Sequence, residues 1–279
     1  EAPRRFLRII EGEQAVLYSA GSGRQELSES IVHPDNPLTS RVIVNRVWLH
    51  HFGRGLVTTP SNFGVLGHKP SHPQLLDWLA SEFVRKEWSI KQLHHTILTS
   101  ATYQQSSQYN SAAFHVDGDN KYLWRYPSRR MDVELWRDSL MFATGELDQQ
   151  LGGPPQNNIL QSRRRTVYAS SSRNGDQFAS DQFLRLFDFA TPRASIAKRT
   201  TTTIPQQFLF MLNSQFMIER ARQFYNRLAS NSEDPQTRIE RGYALLYNRV
   251  PTEEELKLGL TDTFTKVNLK KVSGADKEF

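Results

Sequence analysis

Three amphipathic segments between residues 37 and 104 constrain the fold of this chain more than any other feature. The first begins near Pro37, which suits the first turn of a helix, and stops at Gly53. The second and third each follow a Ser-x-x-Gln capping-box pattern, at Ser71 and at Ser89. Apolar residues recur at helical spacing in all three segments. The sequence therefore predicts three helices joined by short loops that contain Gly and Pro.

The remainder of the chain also favours helices. A fourth helix is expected from Ser128, with Met131, Leu135 and Phe142 on its apolar side, and further helices follow Thr203. Residues 165–170 have the composition of a short strand. We predict a mainly α, multi-helix globular domain with this minor β element. Its expected organisation is an N-terminal extension or linker over 1–31, a single helical domain over 32–262, and a frayed or truncated tail over 263–279.

Composition excludes several classes of function. The chain of 279 residues has no cysteine, which rules out disulfides, thiolate nucleophiles, zinc bound by cysteine and haem attached through C-x-x-C-H. No apolar run reaches the roughly 18–20 residues of a membrane span. The net charge of +6 is modest, and no recognition motif accompanies it, so nucleic acid is not expected as a partner. We predict no cofactor. The chain begins at Glu1 without a methionine, which suggests a processed fragment.

Most of the net charge lies between residues 161 and 199, where eight Arg and Lys face three Asp. Arg199 and Thr202 precede a predicted helix start, where an anion would be favoured. Helix capping is the ordinary role of such threonines. Asn45, Arg46 and Trp48 on the first helix suit ligand stacking, or equally the packing of one helix on its neighbour. The full set of predicted ligand-binding residues is Asn45, Arg46, Trp48, Arg129, Arg130, Arg137, Arg165, Arg199 and Thr202.

Histidines raise a second possibility. Neighbours such as His50 and His51 point about 100° apart on a helix, so one helix cannot chelate a metal through both. A structural, hydrogen-bonded role suits these histidines better, and we predict no metal. If a metal were bound, its ligands would be His50 or His51 with His72 and Asp77.

Paired carboxylates support an alternative function. Glu134 and Asp138 are four residues apart and would share a helix face with Arg130. A hydrolase could use His50 or His51 together with Glu134 or Asp138, provided that their pKa values are perturbed. Ordinary ion pairing accounts for the same spacing. The sequence leaves open whether the protein is an enzyme.

Ordered motifs across nearly the whole chain carry a family resemblance. In chain order the main ones are Asp35-Asn36-Pro37-Leu38-Thr39, Val44-Asn45-Arg46-Val47-Trp48, His50-His51-Phe52-Gly53-Arg54-Gly55, Thr59-Pro60-Ser61-Asn62-Phe63-Gly64, Ser71-His72-Pro73, Ser100-Ala101-Thr102-Tyr103, Gly152-Gly153-Pro154-Pro155, Arg199-Thr200-Thr201-Thr202 and Leu212-Asn213-Ser214. With these motifs the chain resembles the planctomycete-type PSD1 domain, also called DUF1553, a domain of unknown function.

The resemblance implies a setting rather than an activity. Such domains usually lie at the C-terminal end of large exported proteins that also carry a cytochrome-c-like domain. It therefore implies an extracytoplasmic (periplasmic or exported) location and partner domains in the same polypeptide, and it supplies no catalytic residues. Combined with the arginines, it favours a binding or docking module whose basic groove receives an anionic ligand, an anionic polysaccharide or a neighbouring domain.

Overall fold

Helices make up nearly all regular structure in the computed structural model, which describes residues 3–12, 16–232 and 234–261. Within these residues the α-helices are α1 Arg8–Glu11, α2 Arg24–Val32, α3 Thr39–Phe52, α4 Pro73–Arg85, α5 Ile90–Leu98, α6 Ala101–Gln104, α7 Ser111–Val116, α8 Val133–Thr144, α9 Ala179–Leu186, α10 Pro205–Asn213, α11 Gln215–Ala229, α12 Pro235–Tyr247 and α13 Glu253–Leu260. The predicted mainly α fold is confirmed. No helix in the described ranges is long and apolar enough to cross a membrane.

The chain divides into two compact units, unit 1 over Glu1–Arg129 and unit 2 over Arg130–Phe279. The single domain expected over 32–262 stays a prediction. The segment expected to be a linker, 1–31, contains α1 and most of α2. The tail expected over 263–279 lies outside the described residues.

Unit 1 is built on α3, α4 and α5, which occupy the three segments identified from the sequence. Their buried apolar faces form one core together with Leu56 and Val57 from the loop after α3. The members on the helices are Val44, Trp48, Phe52, Leu76, Leu79, Ala80, Phe83, Leu93 and Ile97. The Ser89 hydroxyl accepts the N–H of Gln92 at 3.3 Å, as its capping pattern predicts. The pattern at Ser71 was wrong, because α4 begins at Pro73 and the Ser71 N–H instead donates to the Leu56 carbonyl.

Unit 2 has its own core around α8, α9 and α10, formed by Val133, Ile159, Phe183, Leu184 and Phe187. Helix α8 begins at Val133 rather than Ser128. The prediction of its apolar side was wrong, because Met131, Leu135 and Phe142 are each more than half exposed. The buried positions include Val133, Arg137 and Met141, at i, i+4 and i+8. A pattern of apolar residues does not find this face, because an arginine lies at its centre.

The segment expected to form a strand near 165–170 contains a 3-10 turn over Thr166–Tyr168. Single bridges flank the turn, from Arg164 to Asp148 and from Ala169 to Gln156. The turn forms because the carboxylate of Asp138 accepts both the N–H of Thr166, at 2.8 Å, and its hydroxyl, at 2.6 Å. Helix α8 thus fixes the backbone that follows the Arg163–Arg165 run.

Candidate functional site

The histidines at the end of α3 lie in a cluster of rings. His51 Nε2 is 2.7 Å from His94 Nδ1 on α5. The ring of Tyr103 meets His51 edge-on, with their centroids 5.5 Å apart. Burial lowers the pKa of His51, and the charges of His94, Arg129 and His50 lower it further. His51 is therefore harder to protonate than a free imidazole, and its ring lies within hydrogen-bonding distance of His94.

Two side chains from the end of unit 1 cap the carbonyls of α3. The Tyr126 hydroxyl donates to the His51 carbonyl at 2.9 Å, and the guanidinium of Arg129 donates to the His50 carbonyl. These carbonyls have no partner inside the helix, so the two bonds satisfy groups that would otherwise need water. Burial and the neighbouring Tyr103 raise the pKa of Tyr126, which keeps its hydroxyl protonated and able to donate.

The ligand candidates on α3 lie mostly in the core. Asn45 is fully buried and clamps Val57, accepting its N–H at 2.8 Å and donating to its carbonyl at 3.0 Å. Trp48 stacks on Phe52 with their centroids 4.2 Å apart. Ligand contact through Asn45 or Trp48 would require this core to open. Arg46 is exposed and has no ion pair in the described ranges.

The candidate metal ligands each have another partner. His72 Nδ1 lies 2.9 Å from the Ser71 hydroxyl, and Asp77 accepts from Arg41 Nε at 2.7 Å. Within the described part of the chain, no group of three His, Asp or Glu could hold a metal ion. No carboxylate in the described residues of unit 1 pairs with His50 or His51. Unit 1 by itself therefore supplies the histidines of the hydrolase alternative without an acid to orient them.

The acids of that alternative are engaged inside unit 2. Arg199 binds Glu134 through two hydrogen bonds of 2.7 Å each, the bidentate geometry of a strong pair. Burial alone would raise the pKa of Glu134, but the hydrogen bonds from Arg199, a backbone hydrogen bond and the charge of Arg199 together outweigh burial and lower it. A general acid needs a raised pKa, so Glu134 is poorly suited to that task.

Arg137 and Asp138 organise the loop after α8. Arg137 is completely buried, and its guanidinium donates to the carbonyls of Arg164, Ile159 and Ser162 and to the Thr166 hydroxyl. Burial lowers its pKa to about 10, so it remains charged at neutral pH. Arg165 is about half exposed, with its Nε 3.8 Å from Asp138. Arg137 could contact a ligand only by leaving the core, whereas Arg165 is exposed enough to contact one.

Arg130 and Thr202 meet at a second internal network. The Arg130 guanidinium donates to the Thr202 carbonyl and lies 3.8 Å from Asp188. Asp188 accepts the Thr202 N–H at 2.9 Å and its hydroxyl at 2.7 Å. Burial would raise the pKa of Asp188, but these bonds and the charge of Arg130 lower it. Arg130, Arg199 and Thr202 are thus bound within unit 2, and a groove that used them would have to break these contacts.

A different set of basic side chains surrounds an open cavity of about 300 Å³ in unit 2. Its walls, which define the 171–193 cavity, are Ser171, Ser172, Arg173, Gly175, Asp176, Asp181, Leu184, Arg185, Phe189, Ala190, Thr191, Pro192 and Arg193. The volume lies at the lower end of the roughly 300–1,000 Å³ found for ligand pockets.

The acids of the 171–193 cavity are already occupied. Asp181 accepts the backbone N–H groups of Ser172, Gln177 and Phe178 at 2.9–3.1 Å, so it holds the loop. Asp176 pairs with Arg185. Neither Arg173 nor Arg193 pairs with a carboxylate in the described ranges, although Arg193 Nε donates to the Arg173 carbonyl. Two guanidinium charges therefore remain available at this cavity.

A cavity of similar size in unit 1, about 310 Å³, provides a contrast. Its two basic side chains are Arg41 and Arg85, and both are paired, with Asp77 and with Glu82. The structure thus brings uncommitted positive charge together in the 171–193 cavity. The sequence shows the charge excess of residues 161–199, but weak periodicity there conceals which arginines share a wall.

These features define a mainly α protein with two cores, in which internal contacts occupy most of the charged side chains that the sequence marks as candidates. The chain belongs to the PSD1 family, described as a protein of unknown function (DUF1553), whose model matches residues 23–261. The family resemblance drawn from the sequence motifs is confirmed. Comparison with curated proteins gave no match, and neither did comparison with solved structures.

Proposed function

We propose that unit 2 is a binding module for an anionic ligand and that the 171–193 cavity receives it. The observation that carries this proposal is the pair Arg173 and Arg193, two guanidinium groups without a carboxylate partner in the described residues, at a cavity of about 300 Å³. A guanidinium presents a fork of donors that matches a carboxylate or a sulfate. The cavity replaces the groove of Arg129, Arg130, Arg165 and Arg199 as the preferred binding surface.

An acidic sugar is the ligand class that suits the rest of the cavity wall. The hydroxyl groups of Ser171, Ser172 and Thr191 can exchange hydrogen bonds with sugar hydroxyls. Phe189 contributes an apolar surface, and the guanidinium of Arg199 already lies 4.9 Å from its ring centroid. An anionic polysaccharide would place its carboxylate or sulfate at the arginines and its ring against this wall.

Binding of defined oligosaccharides tests the proposal. The protein is titrated with an oligomer of uronic acid, and with a neutral oligomer of the same length, by isothermal calorimetry. We expect Arg173→Gln with Arg193→Gln to weaken binding of the acidic oligomer at least about tenfold, since it removes two charge-assisted contacts. The matched control is Arg163→Gln with Arg241→Gln, which removes the same charge from exposed residues outside the cavity. Equal losses in both double variants, or equal binding of the neutral oligomer, would refute an anion site here.

The setting of this module forms a second part of the proposal. We place the domain in an exported protein, beside a cytochrome-c-like domain of the same polypeptide, and the support for this is the family resemblance. An antibody against this chain provides the test in cells. The native protein should be recovered in the extracytoplasmic fraction, in a band that also stains for covalent haem. A cytoplasmic band without haem would contradict both statements.

A further inference from the structure

Unit 1 presents two adjacent apolar side chains almost entirely to solvent. Val65 is 99% exposed and Leu66 is 89% exposed. Single exposed apolar residues are common on protein surfaces and need no special cause. Two neighbours at the tip of one loop, both nearly fully exposed, form a compact apolar projection. We call residues 58–68 the tip loop.

The tip loop is held in shape by its own hydrogen bonds. The Gly67 N–H donates to the Gly64 carbonyl at 2.9 Å and closes the turn around Val65 and Leu66. At the base of the loop, the Thr59 hydroxyl donates to the Asn62 carbonyl at 2.8 Å and accepts the His68 N–H at 3.0 Å. The exposure of the tip is therefore built into the loop.

Packing and sterics reinforce this shape. Pro60 is buried, and Phe63 packs against the core of unit 1, so the loop is anchored from below. A Cβ at Gly67 would lie 2.2 Å from the Asn62 carbonyl oxygen, which leaves glycine as the residue that fits. Because the loop is already ordered, its tip can enter a partner at a reduced cost in backbone conformational entropy.

Along the sequence, the charge on both sides of the tip loop has one sign. The sequence contains no Asp or Glu from Asn36 to Leu76, whereas Lys69 follows the loop directly and Arg54 lies four residues before it. Both basic residues are exposed and have no ion pair in the described ranges. An apolar tip with basic residues beside it complements a surface that is anionic outside and apolar beneath, as at the interface of an anionic bilayer.

We propose that the tip loop inserts Val65 and Leu66 into the interface of an anionic lipid bilayer. The closed turn supports shallow insertion, because its internal bond satisfies Gly67 N–H and Gly64 C=O while the headgroup region can hydrate the other backbone groups. Lys69 and Arg54 lie against the lipid phosphates. A hydrophobic pocket on another protein would accept the same tip, but it would make no use of the basic residues Arg54 and Lys69 beside it.

Vesicle binding tests the proposal on the full chain. Affinity for phosphatidylcholine vesicles with and without phosphatidylglycerol is measured by co-sedimentation. We expect phosphatidylglycerol to increase the affinity, and we expect binding to weaken at least about tenfold in Val65→Ser with Leu66→Ser. The matched control, Val116→Ser, removes an apolar side chain that is 87% exposed elsewhere in unit 1 and should bind like the wild type. Absence of vesicle binding, or equal binding by the tip variant, would overturn the proposal.

Depth of insertion separates entry into a bilayer from attachment at its surface. In Leu66→Trp, brominated acyl chains should quench the fluorescence of the introduced indole, whereas Val116→Trp should show no added quenching. Vesicle binding without quenching in Leu66→Trp would mean that the protein is held by surface charge alone, and insertion would be refuted. The proposal is independent of the 171–193 cavity, since every variant in these tests lies in unit 1.

Discussion

Arg137 shows how much structure a single side chain can organise. It is fully buried, and its donors satisfy three backbone carbonyls and one hydroxyl in residues 159–166. We expect Arg137→Met to lower the free energy of unfolding by about 3–5 kcal/mol, because the acceptors would remain buried without donors. Arg137→Lys should recover only part of this loss, since an ammonium cannot reach all four acceptors. Urea denaturation measures both values.

A surface arginine provides the control for Arg137. Arg222 pairs with Glu219 on α11, where the two side chains are 36% and 30% exposed. Arg222→Met should cost less than about 1 kcal/mol, because pairs that water can reach contribute little. If Arg137→Met proved as mild as Arg222→Met, the view of Arg137 as the organiser of this loop would have to be abandoned.

His51 makes stability depend on pH. Its pKa in the folded state lies below that of the unfolded chain, so between the two values the unfolded state binds more protons. The contribution is fully present above the unfolded pKa of about 6.5 and is lost as the pH falls towards the folded pKa. Unfolding free energies at about pH 7.5 and pH 5.5 should therefore differ less in His51→Gln than in the wild type.

The surroundings of His51 define its control. The titratable groups that face it are His94, His50, Arg129, Tyr103 and Tyr126. His115 lies on the exposed helix α7 and is not among the groups that shift the pKa of His51. His115→Gln should keep the pH dependence of the wild type. A similar decrease in the slope for both variants would show that His51 has no special part in it.

At the scale of elements, the junction after α3 depends on one close approach. A Cβ at Gly55 would lie 2.5 Å from the Val57 carbonyl oxygen and 2.9 Å from both polar atoms of the Asn45 side chain. We expect Gly55→Ala to displace the Asn45–Val57 clamp and to lower the free energy of unfolding by about 2–3 kcal/mol. Gly118, whose nearest neighbour would be 3.5 Å away, is the control and should change stability by no more than about 0.5 kcal/mol. A Gly55→Ala protein of wild-type stability would show that the clamp is not needed.

The helices differ in how well the sequence predicts them. Apolar periodicity and capping residues located α3, α4 and α5, because helix formation and burial there depend on nearby residues. Periodicity failed for α8, whose buried face contains Arg137, since the carbonyls that satisfy this residue come from a loop more than twenty residues away. The 171–193 cavity was missed for the same reason. Its arginines are visible in the sequence, but only the folded loop shows which of them have no carboxylate partner.

At the scale of the whole molecule, the two proposed surfaces lie in different units and rest on different forces. Binding at the 171–193 cavity relies on the charges of Arg173 and Arg193. Attachment through the tip loop combines charge with the apolar side chains Val65 and Leu66. Salt shortens the reach of exposed charges but leaves the hydrophobic contribution intact, and sulfate or phosphate salts even strengthen it. The two activities should therefore differ in their response to salt.

A salt titration of the same protein makes this difference measurable. Raising NaCl from about 0.05 M to about 0.5 M shortens the screening length to a few ångströms, so affinity for the acidic oligosaccharide should fall at least about tenfold. Vesicle affinity should fall less and level off, because the insertion of Val65 and Leu66 remains. In Val65→Ser with Leu66→Ser the plateau should disappear, while the oligosaccharide curve stays unchanged. Parallel loss of both activities in the wild type would mean that a single charged surface serves both, and the assignment of separate surfaces to units 1 and 2 would be wrong.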